Sequence, residues 1–151
     1  MVISIIVPFI IALAVFIVIS PLELKLWGNT FDFIPDWFKL YKINLGELNY
    51  LKISLIIALI FNGFLGPFVE ELYFRGFLLP RMNKFGKLAP LVNVILFSLY
   101  HFFSPWENIT RILAVTPLAY SVWVNKNMKI GIIIHCSLNT LSCIGAIISI
   151  M

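Results

Sequence analysis

The chain has 151 residues, of which 61% are hydrophobic and only 12% are charged, and its mean hydropathy is +1.00. A soluble domain has about 25% charged residues, so these charges are too few to cover a water-facing surface. The abundant apolar side chains exclude a disordered chain. The net charge of +4 is small and scattered, so no nucleic-acid partner is expected. The composition predicts an all-α, polytopic protein embedded in the lipid bilayer as a single domain.

Five apolar runs predict a transmembrane helical bundle of about five spans. The spans lie at about 2–20, 53–80, 88–103, 109–124 and 130–151. We expect Pro21 to end the first helix and Pro67 to kink the second, because proline removes a backbone donor. The segment from about 21 to 52 mixes charges with aromatic rings, which is typical of the headgroup level. A plain connecting loop is the alternative for its first half.

The short loops predict an orientation. Residues 81–87 carry three positive charges and residues 125–129 carry two, whereas residues 104–108 carry one negative charge. Lys and Arg are enriched in cytoplasmic loops. The amino terminus is therefore expected inside and the carboxyl terminus outside. A bacterial cytoplasmic membrane is the expected location.

Ionisable residues at membrane depth are the candidates for function. A charge at the bilayer centre costs about 2.5–3.5 kcal/mol on insertion scales, so such residues need a reason to be there. The second, third and fifth predicted spans contain Glu70, Glu71, Arg75, His101, His135 and Asn139.

Helical spacing predicts which of these side chains can pair and which share a face of a helix. Glu71 and Arg75 are four residues apart and can pair on one helical face. Glu70 points about 100° away, so the same arginine does not fully serve both acids. Glu70 is then either protonated and inert or faces a wet cavity, and the wet cavity is favoured. His135 and Asn139 share a face. Helix rise places Glu70, the two histidines and Asn139 in one band, from the inner half to the middle of the membrane.

These residue types fit the hydrolysis of an amide bond. A carboxylate and a neutral imidazole can act together as a general base on water. A second imidazole and an amide can donate to the oxygen that gains charge. Ser98 and Cys136 are interpreted as packing residues rather than nucleophiles, since no GxSxG elbow is present. A zinc site of two histidines and a glutamate is an alternative, although the HExxH arrangement is absent.

Three motifs resemble those of the CPBP (CAAX-protease and bacteriocin-processing) family, also called the Abi family. Residues 67–76, PFVEELYFRG, resemble its P-x-x-E-E-x-x-x-R-G motif. Residues 97–101, FSLYH, resemble F-x-x-x-H, and residues 135–139, HCSLN, resemble H-x-x-x-N. The resemblance covers about residues 60–145 and implies an intramembrane endopeptidase related to the type II CAAX prenyl endopeptidases.

The resemblance also implies roles for the six residues. Glu70 would activate water with help from His101, and His135 and Asn139 would stabilise the oxyanion. Glu71 and Arg75 would support the site. The glutamate mechanism favoured for an archaeal relative in this family requires no cofactor, and zinc remains the metalloprotease alternative.

The expected substrate is a membrane-associated peptide or protein, and processing of a bacteriocin-like peptide is favoured over prenylated CAAX substrates. Family members usually have more helices before the first motif, so a homo-oligomer that completes the cavity is one hypothesis. Two other functions remain open. The chain can be a non-catalytic immunity or scaffold protein that keeps the motifs, or a proton or ion pathway.

Overall fold

The computed structural model describes residues 1–27, 30, 31, 33 and 48–148. This part of the chain is helical and contains no strand. Residues 28, 29, 32 and 34–47 of the predicted headgroup-level segment lie outside the described residues, as do residues 149–151 at the end of the fifth predicted span. The helical bundle predicted from composition is confirmed.

The first helix, α1, runs from Val2 to Trp27, so the helix end expected at Pro21 is wrong. Proline removes one hydrogen bond inside a helix, but tertiary contacts hold the last turns of α1. Buried Glu23 accepts hydrogen bonds from the backbone N–H groups of Ile109 (2.8 Å) and Thr110 (2.7 Å). These contacts fix the end of α1 against the start of a later helix.

The second helical run, residues 48–81, changes its winding several times. It begins as α2 (Leu48–Ala58), becomes π-helical over Leu59–Leu65, and returns to α-helix in α3 (Gly66–Glu71). A second π-helical stretch, Leu72–Leu78, leads into a 3₁₀ turn at Leu79–Arg81. Bends in helices occur at prolines and at π-turns, and Pro67 lies in the turn that follows the first π-helix. We call residues 48–81 the motif helix.

Three further helices complete the bundle: α4 (Ala89–Tyr100), α5 (Asn108–Asn125) and α6 (Met128–Ile148). Helix α5 packs against α1, α4 and α6, and α6 packs along the motif helix. The core between them consists mainly of apolar side chains from the motif helix, α4, α5 and α6. Many large apolar side chains elsewhere remain on the outside, as expected of a surface that faces lipid.

Within the part of the chain that the structure describes, three helices are long and apolar enough to cross a membrane: α1, the part of the motif helix from Ile53 to Arg81, and α6. Helix α4 has 12 residues and rises only about 18 Å, which is less than the roughly 30 Å hydrocarbon thickness. The chain therefore turns at His101, short of the length needed to cross a bilayer. Irregular backbone at that depth must line a cavity or be buried in protein.

The two ends of the bundle differ in charge. The Tyr120 hydroxyl donates to the Lys87 carbonyl oxygen (3.0 Å), and the Ser121 hydroxyl donates to the Ser4 carbonyl oxygen (2.6 Å). The basic residues of 81–87 and 125–129 thus share one end, the basic end, with the amino terminus. The loop at 104–108 lies at the other end, where Phe31 packs on Trp106 with ring centroids 6.1 Å apart.

Candidate active site

The two adjacent acids of the motif helix have different surroundings. Glu71 is fully buried, and its Oε1 lies 3.0 Å from Nη1 of Arg75. This confirms the pairing predicted from the four-residue spacing. The Glu70 side chain is 20% exposed and points toward two histidines instead. The neighbouring carboxylates therefore serve different parts of the site.

His135 is held by the buried acid. Its Nδ1 lies 2.9 Å from Oε1 of Glu71. Since Glu71 also binds the arginine, it is a carboxylate that only accepts, so Nδ1 of His135 carries a proton and donates. In the neutral imidazole Nε2 is then an acceptor, and it lies 3.8 Å from Oε2 of Glu70.

His101 is held by a backbone group at the end of α4. Its Nδ1 lies 2.9 Å from the carbonyl oxygen of Phe97, which can only accept, so Nδ1 donates. Its Nε2 lies 3.8 Å from Oε1 of Glu70. The helix ends at His101, whose backbone leaves the helical region (φ −83°, ψ 45°). The predicted meeting of Glu70 with both histidines is therefore confirmed.

The arrangement of the three groups has a chemical consequence. Each of the two Nε2 atoms faces a different oxygen of Glu70, and both separations exceed a direct hydrogen bond. Three acceptors that face one another need a donor between them, and a water molecule supplies two protons. The geometry is thus suited to binding and deprotonating water.

Asn139 is turned partly toward the motif helix. Its Nδ2 donates to the carbonyl oxygen of Asn62 at 2.9 Å, within the first π-helical stretch. An amide nitrogen has two donors, so this contact leaves one N–H and the side-chain oxygen for other partners. The Asn62 contact fixes the direction of the amide.

His101, His135 and Asn139 line a cavity of about 330 Å³. The cavity reaches the loop at 104–107, at the end of the bundle opposite the basic end. Its other lining side chains are mostly apolar and include Phe16, Phe97, Phe103, Trp106, Ala114, Val115, Leu118 and Leu138. A peptide segment from the membrane phase can enter a hollow of this character.

Sequence reasoning missed two charged residues that line this cavity, Glu107 and Arg111. Burial raises the pKa of the Glu107 carboxyl, and the positive charge of Arg111 opposes part of this rise. Arg111 lies inside the fourth predicted span, so the rule that singled out Arg75 would have found it. Glu107 has no such signal, because an acid in a short loop is usually solvated.

The two potential nucleophiles are engaged in packing contacts, as predicted. The Ser98 hydroxyl donates to Oδ1 of Asn108 at 2.8 Å. The Cys136 thiol lies 3.6 Å from the carbonyl oxygen of Phe64. Both contacts tie one helix to another part of the chain.

Gly131 makes room for the buried carboxylate, which sequence reasoning also missed. A Cβ at this position would clash with Oε2 of Glu71 and lie 3.2 Å from Cγ2 of Val122. Small residues let membrane helices approach closely. Here the missing side chain lets α6 pass beside the acid that orients His135.

We expect Gly131→Ala to lower the free energy of unfolding by about 1–3 kcal/mol, the usual cost of overpacking. Gly145→Ala is the matched control on the same helix, since a Cβ there meets nothing within 4 Å. The control should be neutral or slightly stabilising. Thermal unfolding of both variants in detergent measures the difference, and equal midpoints would contradict the tight approach at Gly131.

Zinc, the alternative expected from the sequence, requires several ligands that converge on one point. No group of three or more His, Cys, Asp or Glu side chains among the described residues is arranged to hold a metal ion. The zinc alternative stays a prediction, and no chemical step is derived through a metal.

Comparison with known proteins adds one finding. A protein-family model described as "Type II CAAX prenyl endopeptidase Rce1-like" matches residues 52–141. The match contains all six residues singled out in the sequence. No curated protein and no protein of solved structure matches the chain.

Proposed function

Because the chain belongs to the Rce1-like family of type II CAAX prenyl endopeptidases, we propose that it is an intramembrane endopeptidase that uses Glu70 to activate water. The family makes it an integral membrane protease in general terms. The choice of residues is our proposal. The observation that carries it is the approach of Glu70 to Nε2 of two histidines at 3.8 Å each, beside a mostly apolar cavity.

In the proposed reaction, a water molecule hydrogen-bonds to Glu70 and to Nε2 of His101. Glu70 removes a proton as the water oxygen attacks the carbonyl carbon of the scissile peptide bond. The proton then passes to the leaving amine as the C–N bond breaks. The products are two shorter peptides, one with a new carboxyl group and one with a new amine.

The oxyanion needs donors where negative charge develops. We assign this to the remaining N–H of Asn139 and to Nε2 of His135, which donates after it has received the water proton from Glu70 and before that proton passes to the leaving amine. A carboxylate on Nδ1 keeps an imidazole in one orientation and stabilises the imidazolium that forms. Glu71 has this position beside His135, at 2.9 Å, and Arg75 balances the charge of Glu71 within the protein. Glu71 and Arg75 are thus positioning residues.

The proposal also predicts the side of the membrane toward which the cavity opens. With the basic end in the cytoplasm, the amino terminus lies inside and the loop at 104–108 lies outside. The cavity then opens toward the outer half of the bilayer. A membrane-associated peptide delivered from that side is the proposed substrate.

The direct test is cleavage of defined peptides by the purified protein in liposomes. The panel contains a farnesylated peptide with a CAAX terminus, its unprenylated copy and a hydrophobic bacteriocin-like precursor. Mass spectrometry should find one internal bond cleaved in at least one of them. Intact peptides throughout, with a folded protein, would contradict an enzyme and favour the scaffold alternative.

We expect cleavage to continue unchanged in excess EDTA or 1,10-phenanthroline, because every proposed step uses side chains and water. The rate of product formation before and after chelation measures this. A loss of more than tenfold that added Zn²⁺ restores would assign the water activation to a metal instead. A calcium-loaded chelator serves as the control for effects on the liposomes.

A further inference from the structure

The part of the cavity near the loop at 104–107 contains a cation that the proposed mechanism does not use. Arg111 is 8% exposed, and among the described residues that line the cavity it is the one permanent positive charge. Glu107 is the one acid in the same lining. The surrounding side chains are mainly apolar. A buried charge is costly unless it has partners, so the partners of Arg111 indicate what it does.

Arg111 is fixed by three contacts within its own segment of chain. Its Nη1 donates to Oδ1 of Asn108 at 3.1 Å, and its Nη2 donates to the Ser104 hydroxyl at 2.6 Å. Nη2 also lies 3.3 Å from Oε2 of Glu107, whose side chain is 39% exposed. A guanidinium has five N–H donors. The described contacts use three of them, and the one anion among these three partners is Glu107, at 3.3 Å.

The position of this guanidinium relates it to the reacting groups. Arg111, His101 and His135 line the same cavity. The charge of Arg111 also interacts with that of Glu70. A ligand group bound to Arg111 would therefore lie in the space that a substrate occupies.

We propose that Arg111 binds a carboxylate of the substrate peptide and so determines specificity for acidic over neutral peptides. This inference rests on the proposed function and deepens it. Arginine pairs with carboxylates through two parallel hydrogen bonds, and charge pairs are stronger where water is excluded. An apolar cavity rejects a lone carboxylate, so a pre-oriented cation is what admits one. Glu107 occupies the site in the free protein and is displaced toward solvent.

The carboxylate can come from the carboxyl terminus of the peptide or from an Asp or Glu side chain. Four versions of one membrane peptide separate these sources. They carry a free terminal carboxylate or a terminal amide, each combined with Glu or Gln at the residue next to the apolar segment. Affinity is measured with the E70Q variant in detergent, so that no cleavage is needed.

We expect one of the two acid-to-neutral changes to weaken binding to the E70Q protein by about 10- to 100-fold, the range of hydrogen bonds to a charged group. Adding R111Q should remove this preference for the acidic peptide, while E107Q should increase it by removing the competing negative charge. R111K should keep part of it, since lysine keeps the charge without the fork. R81Q is the matched control, because Arg81 is exposed and donates to the carbonyl oxygen of Phe77.

The outcomes separate specificity from a merely structural role. If Arg111 only holds the loop, R111Q weakens binding of acidic and neutral peptides equally and E107Q changes no ratio. Equal affinity of all four peptides, including no binding of any, overturns the proposal. Cleavage of the same peptides by the parent protein reports on the proposed function separately. If R111Q does not fold, E107Q and R111K still decide the matter.

Discussion

Replacing Glu70 with glutamine is expected to lower kcat for peptide cleavage by about 10²- to 10⁴-fold, the usual contribution of a general base. Glutamine keeps the size and hydrogen-bonding capacity of the side chain but does not accept a proton from water. Nε2 of His101 and His135 remain in place, each held through Nδ1 by a partner other than Glu70. The loss should therefore fall on the chemical step rather than on KM.

The E70Q variant should fold like the parent protein. The Glu70 carboxylate is partly exposed, and Nε2 of His101 and Nε2 of His135, each at 3.8 Å, lie beyond direct hydrogen-bond distance. We expect the free energy of unfolding to change by about 0.5 kcal/mol or less, as for other partly exposed sites. The measurements are initial rates in liposomes and thermal unfolding in detergent on the same preparation. Turnover within threefold of the parent would remove Glu70 from the mechanism.

A vesicle experiment on the same variant separates the enzyme from the proton-pathway alternative. A proton pathway predicts a flux in vesicles that needs Glu70. On our proposal, parent and E70Q vesicles should show the same background flux, although only the parent cleaves peptide. A flux that disappears with Glu70, without any cleavage, would favour the pathway.

The contacts predicted correctly from sequence are those set by the geometry of one helix. The pair of Glu71 with Arg75 follows from their separation by one helical turn, and the divergence of Glu70 follows from the same winding. The meeting of Glu70 with two histidines required a further idea, namely that costly polar groups in a membrane gather in one place. That idea led to three side chains that the structure brings together.

The features that sequence did not reveal depend on contacts between distant parts of the chain. The end of α1 beyond Pro21 is held through Glu23 by the start of α5. The room for the Glu71 carboxylate depends on a glycine 60 residues later in the chain. Spacing within one helix contains no information about such partners.

Glutamine in place of Glu71 is expected to destabilise the protein by about 3–5 kcal/mol, because it leaves the charge of Arg75 buried without a counter-charge. Arg75 is 2% exposed, and the described part of the chain offers its Nε and Nη2 no hydrogen-bond partner. Its interaction with the ring of Phe97, 4.5 Å from the centroid, does not replace a carboxylate. Unfolding of E71Q and E70Q, measured side by side in mixed micelles, compares the same substitution at adjacent residues.

A second variant tests the reason for this loss. Adding Arg75→Gln to Glu71→Gln removes the stranded charge, so the double variant should be more stable than E71Q alone. Neither variant should regain activity, since the Nδ1 of His135 has lost its carboxylate partner. Equal stability of E71Q and E70Q would show that the charges of the buried ion pair contribute nothing to the free energy of unfolding. A double variant no more stable than E71Q would place the cost on the lost His135 contact rather than on the arginine.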